Sequence, residues 1–299
     1  MTSLPLVSFV IPTLNSANTL DSCLRSIAIQ DYPQIEIIVV DGGSTDATVE
    51  IASKYTVMTI VQKGPLGLAR RVGSEIALGE VIGAFDSDIV IPHRNWLRNA
   101  VSRFYENPEA GIVWPVNRPP HAASMTTKSY FNLWSAFFWE RTKKGLTILP
   151  GGNVLILKKA MEQAGSYSRL EFGEDFDLTL RILGLGYRVV HHEDPIFHNS
   201  MRTLREFVLK QIRGARSLSM IRRRPGNVDL LKICLSWSFR RSKQSAINDV
   251  MSHLQTAIKS TISSYAKTRD SSWLLVPLLL LIRTIVYGSF FLRSELSLL

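Results

Sequence analysis

Cysteine is scarce, with two residues in a chain of 299. Cys23 and Cys234 stand far apart, with no CxxC pair and no cysteine/histidine cluster. A disulfide scaffold and a structural zinc site are therefore not expected, and the chain suits a reducing compartment. A leader is also missing from the reading. MTSLPLVSFVIP has no basic n-region and too short an apolar run for a signal peptide, so the expected start of the mature chain is cytosolic. No GxGxxG follows the first apolar run, which counts against a dehydrogenase. The loop in that place, PTLNSAN, lacks the glycines and basic residue that a sugar nucleotidyltransferase would need there. Acidic residues are scarce only in the last third. Residues 1–200 carry 18 Lys/Arg against 20 Asp/Glu, net −2, whereas residues 201–299 carry 17 against 5, net +12. That back third expects an anionic partner such as phospholipid, nucleic acid or a phosphorylated substrate.

Apolar residues make up 45% and charged residues 20%, enough to bury a core. Their order alternates between two periods. Val7–Ile11, Ile35–Val40, Val57–Val61 and Val81–Phe85 read as buried strands. Leu20, Leu24 and Ile27 follow helical spacing, Ser44 can cap a helix running to about Lys54, and Arg70–Leu78 reads as another. Further on, Val154–Leu157 and Tyr187–His191 read as strands and Phe176–Leu183 as a helix. Strand–helix alternation predicts an α/β, doubly wound, mostly parallel sheet. Ligands of such sheets sit beyond the C-terminal ends of the strands.

Polar residues gather at those ends. The first strand runs into Pro12-Thr13-Leu14-Asn15, the second into Asp41-Gly42-Gly43-Ser44, and the fourth into Asp86-Ser87-Asp88. Carboxylates drawn into one crevice repel each other unless a cation joins them. In an extended segment, Asp-x-Asp puts both carboxylates on one side. Hard oxygen ligands favour Mg²⁺ or Mn²⁺, and such an ion would bridge a diphosphate.

With these residues in view, the chain resembles the family 2 glycosyltransferases, which have the GT-A nucleotide-sugar fold. Three blocks carry the resemblance over roughly residues 6–200: VSFVIPTLNSANTLDSCLRSIAIQDYPQIEIIVVDGGSTDAT, GLARRVGSEIALGEVIGAFDSD, and GGNVLILKKAMEQAGSY with FGEDFDLTLRILGLGYRVV and FHN. The resemblance implies a nucleotide-sugar site made of Thr13, Asn15, Asp41, Arg70, Asp86 and Ser87. Within it Asp41 would hydrogen-bond the base and Arg70 would lie near base and phosphates. It implies Asp88 as metal ligand, joined by Asp86 and His198, for Mn²⁺ or Mg²⁺. It implies Asp175 as the catalytic base of an inverting transfer, with Gly152 and Glu174 on the acceptor side. Arg71 stands where the family often has Asn, and Ile89 where it often has a third acid. A QxxRW motif is absent, since Gln211-Ile212-Arg213-Gly214-Ala215-Arg216 does not fit it, which favours single-sugar transfer over processive synthesis.

The remaining third divides from the catalytic domain at about residue 200. Arg202, Arg205, Lys210, Arg213, Arg216 and Arg222–Arg224 alternate with Leu204, Phe207, Val208, Ile212, Leu218 and Ile221, a basic amphipathic pattern suited to an anionic bilayer. Residues 273–292, WLLVPLLLLIRTIVYGSFFL, hold one charge, Arg283, and are just long enough to cross a bilayer or lie along it. A basic region ending in such a run fits lipid better than nucleic acid. The expected partners are thus a nucleoside-diphosphate sugar, a lipid-linked or polyprenyl-phosphate acceptor and membrane lipid, with no nucleic acid, at the cytoplasmic face of a membrane. An aromatic cluster, Tyr130–Trp139, could pack or line an acceptor groove. The rival to an enzyme is a glycosyltransferase-like scaffold that binds but has lost its chemistry.

Overall fold

A computed structural model describes residues 4–55, 58–143, 152–222 and 243–296. Val57, Gly151, Arg223, Arg224 and Cys234 lie outside them, as do the side chains of Phe137–Trp139 and Leu218. The first apolar run becomes β1 (Val7–Thr13), buried along its whole length. Its residues split between two cores: Val7, Phe9 and Ile11 pack with one cluster and Val10 with another. A strand covered on both faces needs no polar alternation, so a continuous apolar run is the expected signature. Helix α1 (Ala17–Ala28) lays Leu20, Cys23, Leu24 and Ile27 on the first core, an i, i+3, i+4, i+7 stripe.

The other elements follow as β2 (Ile35–Asp41), α2 (Thr48–Ala52), β3 (Met58–Val61), α3 (Leu66–Ile76), β4 (Val81–Ala84), β5 (Ile89–Val90), α4 (Trp96–Glu106), β6 (Ala110–Arg118), α5 (Met125–Lys143), β7 (Val154–Leu157), α6 (Lys158–Gln163), α7 (Glu174–Gly184), β8 (Arg188–His198) and α8 (Leu204–Arg222). After them come α9 (Lys243–Thr268), a 3-10 turn (Ser271–Leu275) and α10 (Val276–Leu296). One eight-stranded sheet runs in the order β3-β2-β1-β4-β7-β6-β8-β5. The β3-β2-β1-β4 half is parallel, as is β6 with β8, while β4–β7, β6–β7 and β5–β8 are antiparallel. The α/β, mostly parallel expectation holds, with β7 as the strand that reverses direction in the middle.

Several elements differ from the sequence reading. The helix expected from Ser44 begins only at Thr48, because Ser44 gives its hydroxyl to Asp41 at 2.5 Å instead of capping. Strands β5 and β6 were not expected; β5 has two residues, and β6 carries Pro115 beside an irregularity in its pairing with β8, the setting in which a strand tolerates proline. Between β4 and β5 the chain turns at residues 87–88, so the Asp-x-Asp segment is not a continuous strand.

The chain groups into two compact units. The first comprises Met1–Arg118 with Leu149–His198 and contains the whole sheet; the second comprises Pro119–Ile148 with Asn199–Leu299 and is helical. A division at residue 200 leaves α5 with the sheet, whereas the structure groups it with the C-terminal helices. The reason is its apolar face: Leu133 joins Phe207, Ala257, Val276, Leu279 and Leu280 in one core, with Tyr130 packed against it. Polar bonds reinforce that grouping, with Ser129 Oγ donating to the Ser272 carbonyl at 2.7 Å and Asn132 Nδ2 to Ser272 Oγ at 2.8 Å. The aromatic residues Tyr130 and Phe131 are thus packing residues of this unit.

Candidate active site

The proposed site residues lie in the sheet unit, at or just beyond the ends of β1, β2, β4 and β8, at the starts of β7 and α7, and, for Arg70, within α3. The parallel register puts Thr13 opposite Asp41 at the end of β1 and β2. Thr13 Oγ1 and Ser44 Oγ donate to Asp41 Oδ1 at 3.0 and 2.5 Å, and the backbone N–H groups of Gly43 and Ser44 donate to Oδ2 at 2.9 and 2.8 Å. A carboxylate has about four lone-pair positions, and all are used. Burial raises the Asp41 pKa, but the Ser44 bonds and then those of Gly43 and Thr13 outweigh it, so the net shift is downward. Asn15, in left-handed conformation at φ 51°, accepts from the Thr45 N–H at 2.9 Å and donates its own N–H to Ser44 Oγ at 2.8 Å. It ties the β1 and β2 loops together. Ser87 joins the β4 loop to this network through a 2.9 Å hydroxyl contact to Ser16.

The second group is built differently. Because Ile89 pairs with His198 across β5 and β8, the last residue of β8 arrives beside the Asp-x-Asp turn. His198 Nε2 lies 3.1 Å from Asp88 Oδ1 and 3.6 Å from Asp86 Oδ2. Among the described residues, Asp86, Asp88 and His198 bring one ligand atom each within 4.8 Å of one another. Two carboxylates and an imidazole, convergent at that range, fit a hard or borderline divalent cation such as Mg²⁺ or Mn²⁺.

Arg70 connects this cluster to α7. It is 1% exposed; its Nη2 donates to Asp86 Oδ1 at 2.5 Å and its Nε pairs with Glu174 Oε1 at 3.0 Å. Burial alone would lower the Arg70 pKa, yet Asp86 and Glu174 raise it further than that. One guanidinium cannot neutralise every nearby carboxylate. Burial, then the charge of Asp175, push Glu174 up to about 8 against the pull of Arg70. Glu174 reaches Arg70 because Gly67, at the start of α3, admits the neighbouring chain: a Cβ there would collide with the Ser168 carbonyl and meet Glu174 Cβ at 3.0 Å.

Gly152 completes the crevice. Its φ is +66°, and a Cβ on it would lie 3.2 Å from Asp175 Oδ2, 3.6 Å from Arg70 Nη2 and 3.9 Å from Asp86 Oδ2. Glycine therefore keeps open the space where the acid opening α7 faces the Asp-x-Asp turn. The next residue, Asn153, escaped the sequence reading. It is fully buried with φ 54°, accepts from the Asp86 N–H at 2.8 Å, and sets its amide nitrogen 3.4 Å from Asp86 Oδ2 and 3.2 Å from His198 Nδ1. Its only signal in the sequence is an asparagine after two glycines at the head of an apolar strand, a turn signature as much as a site.

The family model for glycosyl transferase family 2 matches residues 8–165. The chain belongs to this family. Among curated relatives, it is 27% identical over 225 residues to the glycosyltransferase AglE of Haloferax volcanii, covering 71% of this chain and 73% of that protein. It is 27% identical over 207 residues to the probable glycosyltransferase YdaM of Bacillus subtilis, covering 63% of this chain and 49% of that one. Among solved structures it is similar to the mannosyltransferase PcManGT of Pyrobaculum calidifontis in complex with GDP-Man and Mn²⁺, with TM-score 0.65 and 19% identity over 96% of this chain and 88% of that one. At that identity the likeness establishes the fold, which is GT-A-like. This family 2 member is thus a nucleotide-sugar glycosyltransferase in which the Asp-x-Asp turn, the acid pair opening α7 and the end of β8 meet in one crevice.

Proposed function

We propose that the enzyme moves a single sugar, with inversion, from a metal-bound nucleoside-diphosphate sugar to a lipid-linked or polyprenyl-phosphate acceptor at the cytoplasmic face of a membrane. The convergence of Asp86, Asp88 and His198 beside Asp175 carries the reading. Asp88, Asp86 and His198 would hold Mn²⁺ or Mg²⁺, which when bound offsets charge developing on the diphosphate leaving group. Arg70 steadies Asp86 and adds positive charge on the donor side. Thr13, Asn15 and Ser87 shape the nucleotide end, and Asp41 acts on the base through the loop whose donors it gathers. Asp175 takes the proton of the acceptor hydroxyl, while Gly152 and Glu174 border the acceptor. One base and one displacement give an inverted anomeric centre. The +12 charge of residues 201–299 and the apolar segment 273–292 support an acceptor presented by a membrane. Among the described residues one stretch, Ser271–Ser289, is long and apolar enough to cross a bilayer, with mean hydropathy 1.6.

The test is a panel of nucleoside-diphosphate sugars, begun with GDP-mannose, with Mn²⁺ or Mg²⁺, following thermal shift and slow donor hydrolysis together. Metal-dependent stabilisation by one donor, with release of its diphosphate, supports the reading. With that donor, Asp175→Asn should keep the thermal shift and lose transfer by ~10²–10⁴-fold, the usual share of a general base. A fully active variant would remove Asp175 from the role. A folded protein that binds a donor but never turns it over would favour the inactive scaffold.

A further inference from the structure

The last helix is apolar on two opposite faces. Its inner face, Val276, Leu279 and Leu280, is buried in the helical unit's core with Leu133, Phe207 and Ala257. Among the described residues its outer face stays open: Leu278 and Leu281 are 44% exposed, Ile285 is 62% exposed, and Leu274 in the preceding turn is 55% exposed. At about 100° per residue, Leu278, Leu281 and Ile285 fall within roughly 60° of one another, on the side away from the buried trio. The single charge of the segment avoids this stripe. Arg283 lies over the rings of Trp134 and Tyr287, 5.7 and 5.1 Å from their centroids.

A helix apolar all round belongs in a core or in lipid. Here half of it is already in a core, and the other half is a continuous apolar stripe of the kind that marks a contact surface. The surrounding charge selects the occupant. Exposed Arg205, Arg213 and Arg216 on α8 and Lys259 and Lys267 on α9 belong to the same unit, within a region of net charge +12. A second copy would bring the same charge and be repelled, whereas an anionic headgroup layer is attracted. We propose that α10 lies in the plane of an anionic leaflet, its Leu274–Leu278–Leu281–Ile285 stripe dipped to the acyl boundary and its inner face still on the protein core. Crossing the bilayer would either strip Val276, Leu279 and Leu280 from that core or draw α9, with its exposed Lys259 and Lys267, into the hydrocarbon along with them. The inference rests on the membrane reading above and specifies its geometry.

Two measurements on the full chain decide it. In co-sedimentation, wild type should bind phosphatidylcholine vesicles containing 30% phosphatidylglycerol and bind pure phosphatidylcholine at least ~10-fold more weakly, the preference a polybasic surface gives. Leu278→Glu/Ile285→Glu, at exposed positions, should keep the wild-type melting temperature and lose at least ~10-fold in vesicle affinity. Unchanged binding by the double variant overturns the inference and leaves the membrane reading standing on basic charge alone. No binding by wild type overturns both. Depth is then read from a fluorophore on Ile285→Cys in a Cys234→Ser background, where the remaining Cys23 is buried. Quenching by shallow but not mid-bilayer lipid quenchers supports the in-plane helix. Quenching by mid-bilayer quenchers indicates a crossing helix, and a fluorophore shielded in a lipid-free dimer indicates a second copy; either overturns it.

Discussion

Two acidic loops, at the ends of the strands on either side of β1, are built in opposite ways. At the end of β2, Asp41 collects four protein donors and is 1% exposed. After β4, Asp86 and Asp88 are each about 30% exposed on the side chain and turn toward each other and toward His198. The first carboxylate spends its hydrogen-bonding capacity on the fold. The second pair brings two carboxylates close together with Arg70 set against Asp86, and a divalent cation would relieve the repulsion that remains. Identical residue types at equivalent topological positions thus divide into an acid held by its own loop and a pair that could hold a metal ion. What separates them is the local supply of donors: Gly43 and Ser44 turn their N–H groups back onto Asp41, whereas the turn after β4 leads straight into β5 and its histidine-bearing partner strand.

The sharpest way to break this comparison is to neutralise one member of the ligand set. Asp88→Asn removes like charge, so without metal its melting temperature should equal or exceed that of wild type. With Mn²⁺ at a hundred times the wild-type Kd, wild type should gain about 2.7 kcal/mol, and the variant should gain none of it. Differential scanning fluorimetry with and without Mn²⁺ reads both arms. A variant that is less stable without metal, or still stabilised by it, would make Asp88 a structural acid like Asp41.

The reverse substitution is smaller in effect. Asp41→Ala strands the N–H groups of Gly43 and Ser44, which should cost about 2 kcal/mol in urea unfolding, within the usual range for lost acceptors. The Mn²⁺-dependent gain should survive intact. Loss of that gain would mean the β2 loop positions the metal ligands after all. Because the Asp41 pKa is held below its ordinary value, its contribution is present above that value and fades as pH falls through the lowered pKa.

Much of the sheet unit was legible because its signals are local. β1, β2 and β4 are continuous apolar runs bounded by a proline, a glycine pair or an acid, although β1 continues through Pro12 to Thr13, and α7 begins at the acidic pair Glu174-Asp175. That the polar residues at those ends share one crevice follows from strand polarity, whereas the roles expected of them came from the family resemblance. What was not legible depends on long-range pairing. His198 was expected with Asp86 and Asp88 only through the family resemblance; its own surroundings could not place it there, because a two-residue strand, too short to carry a pattern, is what pairs with the end of β8. Asn153 acts through bonds to residues 67 and 45 positions away. The start of α2 shifted because Ser44 had a stronger partner in Asp41 than in its own helix. In the helical unit, the apolar run 273–292 was visible, but its two faces were not: sequence shows leucine at 278 and 279 alike, and only packing separates them.

A last comparison sets Asp41 against Glu174, two buried acids shifted in opposite directions. For Glu174, burial and Asp175 raise the pKa from the ordinary 4.5 to about 8. Between these values the native protein keeps a proton that the unfolded chain has already released. Stability therefore falls as pH rises through that window, by at most about 1.4 kcal/mol per pH unit, and levels off above about pH 8. Asp41 gives a slope of the other sign, confined to the acid side. Glu174→Gln keeps the shape and a hydrogen-bond acceptor for Arg70 while removing the ionisation, so its urea-unfolding profile between pH 5 and 8 should be flatter than that of wild type, with no change below pH 4. An unchanged slope would mean that Arg70 holds Glu174 ionised across the whole range, and that the ion pair, not the proton, fixes the entrance of α7.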